Sequence, residues 1–254
     1  MKKELNIVIN TKGGVGKSLI SFNVLTLKYN IDNVEIYEID NNNKTTLHNS
    51  KLQIKNLNLN KTEETIEEAI FNIFADKKNI IIDSGGGDDT KNLIKYIKRA
   101  DIPFKINFYI PVLNDLEINK NIIDTLNLIQ DIKDKKVYLV LNKVKDINEV
   151  EQEFFNLFGN KTYGINGILD EIKDKIDNII IIEDSILFSI VKNIYKKTLL
   201  ELNLEAEEVV KNINKIRQQL IKKGKEKYIE EMKYINLLKD INKLANKIKQ
   251  QFKK

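Results

Sequence analysis

The residues best suited to chemistry stand together near the start of the chain, in Lys12-Gly13-Gly14-Val15-Gly16-Lys17-Ser18. Glycines this dense let consecutive backbone N–H groups turn inward without Cβ clashes. An apolar run over residues 5–10 precedes the stretch and an apolar-periodic run over 19–29 follows it, so strand, loop and helix are predicted in that order. A helix that starts at such a loop offers its positive end to the same anion. The expected chemistry is a phosphate cradle, with Lys17 reaching the β/γ-phosphates and the Ser18 hydroxyl ligating Mg2+.

The loop departs from the ordinary G-x-x-x-x-G-K-[ST] pattern, because Thr11 stands where the first glycine belongs and Lys12 precedes the glycine pair. In this it resembles the deviant P-loop of the ParA/MinD family of dimerising ATPases, whose signature is the additional lysine. The resemblance implies ATP as the nucleotide and a homodimer that sandwiches it, with Lys12 reaching across to the partner's ATP. Where the family has Asp-x-Asp followed by Pro-Gln, this chain has Glu38-Ile39-Asp40 followed by Asn41-Asn42. Asp40 matches the second aspartate, so it would position the attacking water and support the Mg2+ shell, by orientation and electrostatics more than by general-base chemistry.

Asp83 follows Ile80-Ile81-Ile82 and precedes Ser84-Gly85-Gly86-Gly87, the form of a Walker B aspartate and a second switch. Its carboxylate would hold Mg2+ through water, while the glycines, Gly85 among them, would bring backbone N–H groups near the terminal phosphate. Six of the ten glycines lie in these two loops, whereas turn glycines would be spread over many connections. Asp88 and Asp89 read as first-turn residues of the next helix rather than ligands. Asn142, in Leu141-Asn142-Lys143, resembles the position from which this class of NTPases reads the base. Lys145-Asp146 follows one residue too late for the guanine motif, so adenine is assigned. Pro111 is taken only to end a strand, and 182–188 resembles the segment leading into nucleotide-flanking helices.

Composition bounds these readings. The chain has 254 residues, no cysteine and one histidine, His48, which excludes disulfides and thiolate-held clusters and disfavours transition metals. No apolar run approaches the ~20 residues of a membrane span, and the N-terminal Met-Lys-Lys-Glu enters a strand pattern directly, so a cytoplasmic location is expected, nucleoid-associated if the chain is ParA-like. The net charge of +5 is uneven: residues 211–254 hold 14 Lys/Arg against 4 Asp/Glu. Such a segment suits phosphate backbones or anionic lipid, although 40 of the 42 basic residues are lysine and lysine is abundant throughout.

The elements that must position these residues alternate. Strands are predicted at 4–10, 33–39, 79–83, 104–110, 137–141 and 178–182, with helices after the first loop and at 62–75, 116–132 and 147–158. This pattern specifies a doubly wound α/β fold, a mostly parallel sheet of about seven strands with helices on both faces. Beyond Ser185 only helices are expected: 186–204, 205–223, a break at Gly224, and an amphipathic helix carrying Tyr234, Leu238, Ile241, Ala245, Ile248 and Phe252. The division is an ATPase domain over 1–204 and a basic helical extension over 205–254.

The resulting expectation is an Mg2+-dependent switch ATPase that dimerises on ATP. The leading form is a ParA-like plasmid or DNA partition protein that binds DNA non-specifically and is reset by a small DNA-binding adaptor. Alternatives are a MinD-like membrane-positioning ATPase using 234–254 as an interfacial helix, a conjugal-transfer accessory ATPase, and a P-loop small-molecule kinase or a nucleotide-binding switch without hydrolysis. The departures at Glu38, Asn41 and Asn42 keep the last of these open.

Overall fold

The structure is a computed structural model that describes residues 3–39, 47, 50–57, 71–73, 75, 77–100, 102 and 105–253. Its strands are β1 (Leu5–Val8), β2 (Val34–Ile39), β3 (Gln53–Asn56), β4 (Asn79–Ser84), β5 (Ile106–Val112), β6 (Lys135–Val144) and β7 (Asn178–Glu183). They form one sheet in the order β3-β2-β4-β1-β5-β6-β7, and every neighbouring pair is parallel. A parallel sheet is covered on both faces, which is why its central strands read as unbroken apolar runs. Alternate residues go to opposite sides: Leu5, Ile7, Ile80, Ile82, Phe108 and Ile110 join one core cluster, while Val8, Ile81, Tyr109 and Val140 join the other.

β3 was not among the expected strands. It reads Gln-Ile-Lys-Asn, lies at the sheet edge and is largely exposed, so it needs no apolar run; its register comes from pairing with β2. The strand expected from Phe104 starts at Ile106, and positions 103–104 lie outside the described residues. The helix expected over 62–75 also lies mostly outside them; residues 71–73 and 75 are helical, with Ile73 buried.

α1 (residues 17–28) follows the glycine loop as an α-turn at Lys17–Leu19, widens to a π-helix over Ile20–Val24 and closes as a 3-10 turn over Leu25–Lys28. α2 (Asp88–Arg99) begins with its two aspartates in the first turn, as expected, and α3 is Ile118–Ile129. The helix expected over 147–158 is instead α4 (Val150–Glu153) and α5 (Phe155–Phe158), because Phe154 leaves the helical region at φ −98°, ψ 42° and is fully buried. α6 (Leu169–Ile172) precedes β7.

Two of the breaks among the C-terminal helices, at Lys196 and Asn212, fall where neither glycine nor proline marks the sequence. α7 (Ile186–Ser189) runs into a π-turn, Ile190–Tyr195, and ends at Lys196 in the left-handed region at φ 53°. α8 (Leu199–Lys211) restarts from a capping box between Thr198 and Glu201, and α9 (Ile213–Lys222) follows a kink at Asn212. The expected break at Gly224 is present, at φ 97°, and α10 runs from Lys225 to Gln251. Ile235, Leu238, Ile241, Leu244, Ala245 and Ile248 of α10 are buried. Most of them share a cluster with Ile20, Val24 and Leu25 of α1, so the last helix packs on the sheet face that α1 covers.

Candidate functional site

The glycine loop leaves β1 at its carboxyl end, where open parallel sheets bind ligands. Gly14 and Gly16 have φ of 76° and 97°, a region in which L side chains are strained. Asn10 is the keystone of the loop. Fully buried, it accepts the Lys12 N–H through Oδ1 at 2.8 Å and donates from Nδ2 to the Pro111 carbonyl at 2.8 Å, tying the loop to the end of β5. Sequence reasoning gave Asn10 no role; its signal was a polar residue ending an apolar run.

Lys17 is buried and donates to the carbonyls of Lys12 at 2.9 Å and Asn10 at 3.3 Å, so its ammonium lies inside the curve of the loop. Lys12 points the other way. Its ammonium pairs with Asp115 at 3.2 Å and Glu117 at 3.1 Å, both in the segment after β5. Hydrogen bonds from Glu117 and then Asp115 hold the Lys12 pKa above its ordinary value, so it remains a cation. Neither acid was anticipated, because their partner lies a hundred positions away in sequence and only the fold joins them.

The second glycine loop lies against the first. Gly87 N–H donates to the Thr11 carbonyl at 3.1 Å, and a Cβ on Gly86 would stand 3.4 Å from Gly13 Cα and 3.9 Å from Lys17 Nζ. Gly86 therefore faces the phosphate loop, whereas Gly85, named from sequence, is buried beneath the Ile39 carbonyl and Asp89 and accepts the Thr90 hydroxyl at 2.7 Å. Exposed Gly13 completes the rim.

Asn142 lies near the carboxyl end of β6, the strand end expected of it. It is 1 % exposed and donates from Nδ2 to the Val15 carbonyl at 3.0 Å, with Gly16 packed directly against its amide and its Oδ1 left without a partner. The buried amide braces the loop from β6, beside a bulge that turns exposed Lys143 to φ 59°.

Two carboxylates meet at the strand ends. Glu38 and Asp83 are register partners on β2 and β4, 4 % and 3 % exposed. Asp83 accepts the Ser21 hydroxyl at 2.9 Å and is also hydrogen-bonded by Ser18. Its pKa is pushed up to about 6, chiefly by burial and also by Glu38, against the opposing pull of the two serines and Lys17. Asp40, Asn41 and Asn42 lie outside the described residues. A hydroxyl beside two buried carboxylates, one of them reluctant to ionise, is a donor set that fits Mg2+: hard oxygens, few protein ligands, and room for water and phosphate oxygens. Ser18 and Asp83 would hold the ion, and Ser21 and Glu38 stand behind Asp83. Ser18 also opens onto a cavity of about 280 Å³ floored by Phe22, Leu47 and Phe188.

The pKa of Asp83 carries a stability prediction. A folded-state value raised from 3.8 to about 6 means that the folded chain binds more protons than the unfolded chain between roughly pH 4 and 6. Stability from this group is present in acid and lost as pH rises through the folded value. In chelator-containing buffer, Asp83→Asn should therefore raise urea-unfolding stability at pH 8 by about 2 kcal/mol and have little effect near pH 4. An equal effect at both pH values would refute the assignment.

A search of curated protein sequences finds no match. Among solved structures, the fold resembles a McdA variant from Cyanothece in complex with ATP, with TM-score 0.52 and 14 % identity over 79 % of this chain and 90 % of that one. It also resembles the MinD cell division protein of Aquifex aeolicus, with TM-score 0.46 and 16 % identity over 75 % of this chain and 89 % of that one. A putative plasmid partition protein from Borrelia burgdorferi, bound to AMPPNP, matches with TM-score 0.47 and 14 % identity over 73 % and 88 % of the two chains. The sequence profile of the CobQ/CobB/MinD/ParA nucleotide binding domain covers residues 6–251, nearly the whole chain. With its deviant phosphate loop at the carboxyl ends of a seven-stranded parallel sheet, the chain belongs to the CobQ/CobB/MinD/ParA family of nucleotide-binding domains.

Proposed function

We propose that the protein is a ParA-like switch ATPase that dimerises on ATP, hydrolyses it to ADP and phosphate, and binds duplex DNA non-specifically. The observation that carries this reading is Lys12, a permanent cation at the loop rim paired with Asp115 and Glu117, neither of them buried. In the segment of Asp115 and Glu117, Leu116 is an apolar side chain 98 % exposed among the described residues. A second copy placed against this rim would cover Leu116 and bring its phosphates to Lys12.

Within each copy, Lys17 and the backbone donors of residues 13–18 bind the β- and γ-phosphates and fix the scissile bond. Mg2+, when bound, neutralises charge on the phosphate oxygens. Ser18 and Asp83, the latter backed by Ser21, would hold the ion, and Asp40 would orient the attacking water. Positioning and charge neutralisation are nearly all that phosphoryl transfer to water requires. A small DNA-binding adaptor would reset the switch by promoting hydrolysis.

The surface that distinguishes DNA from membrane is the hairpin of α9 and the first half of α10. Lys215, Lys222, Lys223, Lys225, Lys227 and Lys233 are exposed on it. The apolar face of 234–254, which a membrane-surface role would need, is buried against the chain's own core, so a MinD-like interfacial helix is disfavoured. Among the described residues no helix is long and apolar enough to cross a membrane. The test is duplex-DNA binding across a salt series. Replacing Lys222, Lys223, Lys225 and Lys227 by alanine should weaken ATP-dependent binding at least about tenfold and flatten the salt slope by roughly 2–4, leaving nucleotide affinity intact. An unchanged slope would move the DNA surface elsewhere, and no ATP-dependent DNA binding by the unmodified protein would remove the DNA reading altogether.

A further inference from the structure

Glu201, in the first turn of α8, has more partners than a helix cap needs. It is 9 % exposed, and its Oε2 accepts both the N–H and the hydroxyl of Thr198 at 2.9 Å, which completes the capping box. The same carboxylate also accepts the Ser50 hydroxyl at 3.0 Å and the Lys51 N–H at 2.5 Å. Ser50 and Lys51 lead into β3, which pairs with the end of β2 that carries Glu38. Asn23 of α1 joins the junction by accepting the Leu199 N–H at 2.9 Å. The helix after the phosphate loop and the residues that enter β3 therefore both meet the first turn of α8.

Beyond that turn α8 is hydrogen-bonded to α10 through side chains spread along both helices. Asn203 meets Asn242 at 3.0 Å, Glu205 meets Tyr234 at 2.7 Å and Glu207 meets Lys249 at 2.9 Å. We propose that Glu201 couples Ser50 and Lys51, which enter β3, to the α8–α10 helices, so that a nucleotide-driven shift of Glu38 and the β3 strand paired with it is transmitted to the basic hairpin. The physical reason is that a largely buried carboxylate cannot release two of its donors cheaply. If Ser50 and Lys51 move, either α8 follows or the carboxylate is left half-satisfied. Glu201 is a positioning residue in this scheme, since it touches no substrate, and the scheme rests on the nucleotide-switch reading above.

The experiment is hydrogen exchange on the full chain with and without Mg-AMPPNP, alongside nucleotide affinity. In the unmodified protein nucleotide should alter exchange both at 50–57 and at 225–234. In Ser50→Ala and Glu201→Gln, affinity should stay within about threefold and the response at 50–57 should persist, while the response at 225–234 falls to less than about a third. Thr198→Ala, which weakens the helix start without touching Ser50, should leave the distal response in place. An undiminished distal response in both coupling variants, an equal loss in Thr198→Ala, or no distal response in unmodified protein that binds nucleotide would each overturn the coupling. No nucleotide binding by the unmodified protein would instead sink the functional reading beneath it.

Discussion

Lys12→Ala is expected to lower steady-state ATP hydrolysis by about three orders of magnitude while leaving nucleotide affinity within a few-fold, since a cation supplied in trans to a transferring phosphoryl group is worth roughly 10³–10⁵ in rate. Lys12 makes no contact inside the loop's curve through its ammonium; Lys17 occupies that place. Its loss should therefore spare binding by the single copy. The specific activity of the unmodified protein should rise with protein concentration as dimers form, and that of the variant should not. A monomeric small-molecule kinase would behave otherwise, keeping its rate at every concentration. The ion pairs with Asp115 and Glu117 set the accompanying condition: pairs this exposed are weak and readily exchanged, so an arriving polyphosphate can displace both acids.

Gly16→Ala is expected to abolish measurable nucleotide binding, a loss of at least about a hundredfold, and to lower stability by roughly 1–3 kcal/mol. Two independent terms contribute. At φ 97° an alanine is strained wherever its side chain goes, and the new Cβ would collide with Asn142, forcing the amide off the Val15 carbonyl. Asn142→Ala removes the second term only. In a double-mutant cycle read by urea unfolding and fluorescent-nucleotide titration, the pair should couple by about 1 kcal/mol, with binding still lost. Additive stabilities would show that Asn142 does not brace the loop.

The parts of the fold that were legible in the sequence are those fixed by local signals. The Ile80-Ile81-Ile82 run reads as a strand because both faces of β4 are covered, and Asp88-Asp89 reads as a helix start because acids suit its first turn. The Lys12 to Ser18 loop is legible because few backbones other than a phosphate cradle need that spacing. What escaped depends on partners distant in sequence. β3 is a strand only because β2 lies beside it, and Asp115 and Glu117 acquire meaning only when the fold delivers Lys12. Asn142 sits at the strand end expected of it, yet its side chain turns toward Val15, a direction no spacing encodes. The helix break before α8 was readable after all, in the Thr198-x-x-Glu201 box, but the long apolar periodicity across 186–204 concealed it.

The edge strand β3 also limits how copies of this chain can associate. An open edge is a template for pairing, and long flat apolar edges invite a neighbour to extend the sheet. β3 offers four residues, Gln53-Ile54-Lys55-Asn56, with Lys55 drawn back to Glu35 at 2.9 Å and lying over the Tyr37 ring. A strand so short and polar is poor at recruiting another chain edge to edge. Assembly is steered away from continuous-sheet growth at this end of the sheet.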